Sequence, residues 1–255
     1  AKALGCSPDE VMEKLNNMSP GEIEKVLLRT SVVADIGGFM WAEKLLRRTS
    51  PIRFGYLIPT LDAVISGATA ITPQLHVRYT PEARRREQAL FYIESGSALY
   101  TFSAELLISD ISRLHYSKDT DPELERQKLD RIDVAIEALI SMLDGMIFGA
   151  KRSRYLPQWD VQSLVVAVSC GPVEFVVNPG TSKDYIENTY LRAKALVKSI
   201  NDMQIHIYAY DKEGCPKPSK KDEVNGNVSF DDSVKTHTEA MVKAKEKVFE
   251  LLGIK

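Results

Sequence analysis

Arg84, Arg85 and Arg86 stand in one run of this 255-residue chain and Lys151, Arg152 and Arg154 in another. Arg78 lies on the approach to the first run, and Tyr155 and Trp159 follow the second. Guanidinium forks match phosphate oxygens, and aromatic rings beside them offer stacking surfaces for bases or sugars. A formal net charge of −2 exerts no global pull on polyanions, so such a site must come from local clustering. The competing interpretation is that these are solvated helix-end charges, paired with acids such as Glu82, Glu87 or Asp144.

Other constellations are thinner. Asp160 precedes one predicted strand and Glu174 lies on the next, a layout that resembles metal-dependent nucleases of the restriction-endonuclease type. The resemblance implies magnesium held by two converging carboxylates, but the lysine expected two residues on is Val176. Cys170 and His206 would form a thiolate–imidazole pair only if both faced one side of a sheet; a small core cysteine is the plainer reading. His76, His115, His206 and His237 are scattered, and no spacing matches a zinc site, a Walker loop, GxGxxG, GxSxG or HExxH. Asn178-Pro179-Gly180-Thr181-Ser182 before a helix reads as an anion cradle or, more simply, as a strand-to-helix turn. No metal and no cofactor is expected.

The elements that position these residues announce themselves by their starts. Ser7-Pro8-Asp9-Glu10, Ser19-Pro20-Gly21-Glu22, Thr80-Pro81-Glu82 and Asp121-Pro122-Glu123 each join a capping oxygen, a proline and an acid. The first two also fit the capping box. The apolar spacing predicts helices over Pro8–Met18 and from Pro20 onward, interrupted at Gly37-Gly38 and resumed through Phe39, Trp41 and Leu45 to Arg48. A short helix through Ile65 and a short strand or extended linker over Gln74–Tyr79 follow. Leu90, Ile93, Leu99, Phe102 and Leu106 predict a long helix from Pro81 to Tyr116, and Leu129 to Met146 a second from Pro122 to Phe148. Joined by the Ser117–Asp121 turn, the two make an antiparallel hairpin that brings Arg85 level with Arg152.

Beyond Pro157 the pattern changes. Leu164–Ser169 and Val173–Val177 read as a hairpin of strands, a helix runs to Ile200, and Met203–Tyr210 reads as a strand. Residues 211–232 read as a mobile loop, and Val234, His237, Met241, Ala244, Val248 and Leu251 predict a last helix. The expected fold is mainly α (α+β): a helical domain over 1–157, a small β-β-α-β module over 158–210, the 211–232 loop, and a 233–255 helix docking on the rest or on a neighbour.

Composition is that of an ordinary globular protein, 44% hydrophobic and 27% charged. Cys6, Cys170 and Cys215 are odd in number and far apart, which suits a reducing compartment. No apolar run reaches membrane-spanning length and no leader pattern follows Ala1, so a cytoplasmic location without membrane contact is expected. The functional expectation is a non-enzymatic protein binding a polyanion, foremost nucleic acid, and forming homo-oligomers. A self-assembling shell or filament subunit and a magnesium nuclease using Asp160 and Glu174 are the alternatives.

Overall fold

The computed structural model describes residues 17–67, 71–78, 89–145, 159–219 and 227–254. Two of the four start signals fall within them, and both open helices. Helix α1 (Pro20–Thr30) carries a full capping box: Ser19 Oγ accepts from the Glu22 N–H, and Glu22 Oε2 accepts from the Ser19 N–H at 2.8 Å. Helix α2 (Val32–Gly37) stops at Gly38, whose φ of 71° only glycine adopts freely.

The chain then turns to strands where helix was expected. Strands β1 (Phe39–Trp41) and β2 (Leu46–Arg48) form a hairpin with Phe39 opposite Arg48. Strands β3 (Ile52–Phe54) and β4 (Ile58–Pro59) precede the short helix α3 (Leu61–Ile65). Strand β5 (Ile71–Arg78) matches the extended reading of that region and pairs antiparallel with β6 (Ala89–Gly96).

That pairing overturns the long helical hairpin. The segment expected to be helical from Pro81 to Tyr116 holds β6, then β7 (Tyr100–Thr101) on β4, β8 (Ala104–Leu106) on β3, and a 3₁₀ turn at Ile108–Asp110. Phe91-Tyr92-Ile93 is a β-prone run, and a distant partner strand decided its conformation over the helical spacing. The second helix is as expected: α4 (Pro122–Gly145) starts on Asp121, whose Oδ1 accepts from the Glu123 and Leu124 N–H groups.

The C-terminal part centres on a sheet of β9 (Ser163–Cys170), β10 (Gln204–Asp211) and β11 (Val228–Asp231), in the order β11-β10-β9. Strand β10 runs antiparallel to β9 and parallel to β11. Residues 173–177 are irregular rather than a strand, and β11 lies inside the segment read as loop, so the local order is β-α-β-β. Both sheet faces are covered. Helix α5 (Tyr185–Ser199) packs Ile186, Tyr190 and Ala193 against Ile205, Ile207 and Ala209. Helix α6 (His237–Leu251) and α4 pack Met241, Ala244, Val248, Ile132 and Ile136 against Val168 on the other face. The three–four seam of the last helix is thus spent on its own sheet. The fold is mixed α/β. Among the described residues, no helix is long and apolar enough to cross a membrane.

Candidate functional site

Four charged side chains lie in the interior between α1, α2, β2 and α4: Glu24, Asp35, Arg48 and Arg131, each at most 3% exposed. Asp35 Oδ1 accepts from Arg48 Nη2 at 2.5 Å and Asp35 Oδ2 from Arg131 Nη1 at 2.8 Å. Glu24 Oε1 lies 3.4 Å from Arg48 Nη1. Arg131 also donates to the Leu28 carbonyl and to Gln127 Oε1, both at 2.7 Å. Two acids balance two guanidiniums, as buried charges require.

The quartet also holds a loop. Residues 111–116, just past the 3₁₀ turn, belong to no helix or strand, so most of their backbone groups need other partners. Asp35 accepts from the Ser112 N–H at 3.0 Å, and Glu24 from the His115 and Tyr116 N–H groups, each at 2.9 Å. Arg48 donates to the Asp110 and Arg113 carbonyls, each at 2.7 Å. Ser112 sits at φ 65°, a left-handed conformation that a serine adopts at a cost, and this clamp holds it there.

The clamp fixes what the loop displays. The Arg113 side chain is 66% exposed, with Asp110 3.5 Å away. His115 Nε2 lies 3.7 Å from the same carboxylate. The Tyr116 hydroxyl accepts from the Arg47 N–H and donates to the Arg47 carbonyl, each at 3.1 Å, which ties the exposed Arg47 to the loop. Lys118 is exposed just beyond. Cations and a tyrosine ring on a fixed backbone are suited to phosphate and base contacts. At the far end of this region Asp121 anchors Lys25 and Arg29, each at 2.9 Å. Burial alone raises the Asp121 pKa, but those two cations and the Leu124 N–H outweigh it and bring it down to about 2.

The residues singled out from the sequence have separate fates. Arg84, Arg85, Arg86, Lys151, Arg152, Arg154 and Tyr155 lie outside the described residues, and Arg78 is placed by its backbone opposite Ala89. The helical hairpin that was to bring the two basic runs level is absent, because β6 replaces its first arm. Trp159 is half-buried and its Nε1–H donates to the Leu143 carbonyl at 2.8 Å, capping the last turn of α4.

The nuclease layout is not reproduced. Glu174 stands in an irregular segment, its carboxylate 3.9 Å from Arg53. Asp160 pairs with Lys212 at 3.1 Å and accepts from Gln162; the Lys212 bond, against slight desolvation, lowers its pKa. The two carboxylates are thus engaged with different cations, and among the described residues no cluster of His, Cys, Asp or Glu is arranged to hold a metal. His206 Nδ1 is bonded to Ser229 Oγ at 2.7 Å, while Cys170 is exposed at the end of β9. The 178–182 segment is an irregular strand-to-helix connection: the Asn178 N–H donates to Thr189 Oγ1 at 2.9 Å, and Asp184 takes bonds from Ser182 and Asn188 at the start of α5.

A family model described as CRISPR-associated negative auto-regulator DevR/Csa2 matches residues 6–190, a span that includes the whole clamp. The chain belongs to the DevR/Csa2 family. It is similar to the CRISPR-associated aCascade subunit Cas7/Csa2 2 of Saccharolobus solfataricus, 41% identical over 199 residues, 76% of this chain and 60% of that protein. CRISPR-associated protein Cas7/Csa2 1 of the same organism is 30% identical over 217 residues, 81% of this chain and 66% of the relative. CRISPR-associated protein Cas7/Cst2/DevR of Thermoproteus tenax is 25% identical over 210 residues, 78% and 62% of the two chains. The chain therefore spans about 60–66% of the length of these curated relatives. A chain of a CRISPR RNA-guided surveillance complex aligns over 90% of this chain and 85% of its own length, with a TM-score of 0.40 and 11% identity.

Sequence reasoning passed over the clamp of this DevR/Csa2 chain, although signals for it exist. Arg131 falls seven residues after Leu124, two turns along α4 on the face that is otherwise apolar. Glu24 lies four residues before Leu28 on the buried face of α1. A charge on an apolar stripe marks a buried pair whose partner is elsewhere in the chain.

Proposed function

We propose that this chain is the RNA-gripping subunit of a multi-chain CRISPR-associated assembly. The observation that carries the reading is the family match over residues 6–190, reinforced by 41% identity to a relative named as an aCascade subunit. The clamped 110–116 loop supports it by presenting the exposed Arg113 on a backbone fixed from beneath and by holding the exposed Arg47 through Tyr116. The grip is to phosphates, so it tolerates many sequences. Arg78, Arg84, Arg85, Arg86, Lys151, Arg152 and Arg154 extend the same electrostatic role in this reading, with Tyr155 and Trp159 as stacking surfaces. A cytoplasmic location goes with it.

The test is fluorescence anisotropy of a labelled single-stranded RNA across a salt series. Binding weakens steeply with salt, and the logarithmic slope falls by about 0.7 for each phosphate contact removed. The variants are Arg47→Ala with Arg113→Ala, the Arg84–Arg86 block changed to Ala, and Lys151, Arg152 and Arg154 changed to Ala. No binding at about 50 mM salt overturns the reading.

Assembly has its own supporting observation. Phe54, Tyr56, Leu57, Leu61, Val64 and Ile65 lie within one short stretch and are all exposed, Tyr56 by 92% and Ile65 by 76%. Apolar surface concentrated in this way suits contact with another subunit.

A further inference from the structure

Helices α4 and α6 leave between them an open groove of about 760 Å³. Its floor is apolar: Ile140 from α4, and Val242, Phe249 and Ile254 in and just after α6. Its rim is acidic, with Glu137, Glu246 and Glu250. The one cation among its lining residues, Lys245, is already bound by Asp133 and by Glu137 at 3.0 Å. Glu250 has its own partner in Lys247, on the same helix. Among the described residues, acids on this face outnumber the cations that answer them.

These features narrow the occupant. Glu137 and Glu250 are answered by lysines and, among the described residues, Glu246 is not, which leaves the rim net negative and disfavours a phosphate backbone there. A small ligand would keep most of its surface in water here, whereas small-molecule sites enclose their ligands. An apolar trough between two helices with charged margins is the shape that receives the apolar face of a third helix. We infer that this groove docks an amphipathic helix of a partner protein, with aliphatic residues along one face and lysine or arginine at its flanks. The inference stands apart from the RNA reading, because it uses none of the same residues.

The probe is a labelled synthetic helix of about 18 residues, five turns, with leucine at helical i, i+3, i+4, i+7 spacing and lysine elsewhere, followed by anisotropy at about 150 mM salt. Saturable one-to-one binding is expected. Glu246→Lys with Glu250→Lys weakens it about tenfold or more. Ser141→Trp, which fills the groove from an exposed position without changing charge, abolishes it. RNA affinity stays unchanged in both variants, and thermal melting monitored by circular dichroism confirms that they fold. A peptide with glutamate in place of lysine binds no more than about a tenth as well. The inference is overturned by absence of peptide binding to the parent chain, by equal binding of the two peptides, or by unchanged affinity in the folded variants. A concentration-dependent dimer in light scattering that Ser141→Trp returns to monomer overturns it as well, since the occupant is then a second copy.

Discussion

Asp35→Ala removes the carboxylate on which two buried guanidiniums converge. Arg48 Nη2 and Arg131 Nη1 lose partners at 2.5 Å and 2.8 Å, and the Ser112 N–H loses its acceptor at 3.0 Å. Glu24, at 3.4 Å from Arg48 and already accepting from His115 and Tyr116, is left to balance two cations. Breaking a buried ion pair from one side costs about 3–5 kcal/mol, out of a total stability on the order of 5–15 kcal/mol. For a chain of this length that corresponds to a urea midpoint about 1–1.7 M lower and a melting temperature about 6–20 °C lower. Tryptophan fluorescence follows the transition, because Trp41 packs with Ile23 and Leu46 close to the quartet and Trp159 is bonded to α4. Arg126→Ala is the control: it breaks an ion pair with Glu123 whose arginine is 76% exposed, and leaves the unfolding midpoint at that of the parent chain. A loss below about 1 kcal/mol for Asp35→Ala refutes the argument that these charges are mutually dependent.

Gly38→Ala forces a Cβ to within 2.5 Å of the Arg48 carbonyl and 2.9 Å of the Ser50 nitrogen, at a φ of 71°. It should cost about 2 kcal/mol or more in urea unfolding, since backbone on both sides leaves the methyl no room. Asp121 has its pKa held at about 2, so its contribution is complete above the unfolded value of about 3.9 and disappears as pH falls from about 4 toward 2. Lys25 and Arg29 are half-exposed, which limits the gain to about 1–2 kcal/mol. Asp121→Asn lowers stability at pH 7 and flattens the acid limb of the stability–pH curve; an unchanged limb removes the assignment.

What the sequence reveals here follows from how local the cause is. Ser19 and Asp121 cap helices through groups two or three residues away, and Gly38 ends α2 by its own φ, so a reading of neighbours suffices. Strand β6 depends on β5, and Ile71 pairs with Gly96 across a long stretch of chain, so helical spacing alone misassigns it. Strand β11 is four residues long and exists through its pairing with β10, where Val228 becomes 1% exposed. Arg47 and Arg48 are identical in type and adjacent. Only the alternation of a strand sends one to solvent and the other into the quartet, and a helical reading of that segment hides the difference.

The quartet bears on a further question, why charges persist in a place that aliphatic side chains could fill. Replacing a buried ion pair by apolar residues of similar volume is often neutral or stabilising. Here the carboxylates and Arg48 also satisfy the backbone of 110–116, which an aliphatic core leaves without partners. Asp35→Leu with Arg131→Met keeps Glu24 and Arg48 in balance, so it should recover part of the stability lost in Asp35→Ala. The Ser112 N–H remains orphaned, at a cost of about 1–3 kcal/mol, and the recovery stops short of the parent chain. Hydrogen exchange should then show faster exchange confined to residues 110–116, and RNA affinity should fall although Arg47 and Arg113 are untouched. Full recovery of stability with parental exchange in that loop would mean that the charges serve each other and not the surface above them.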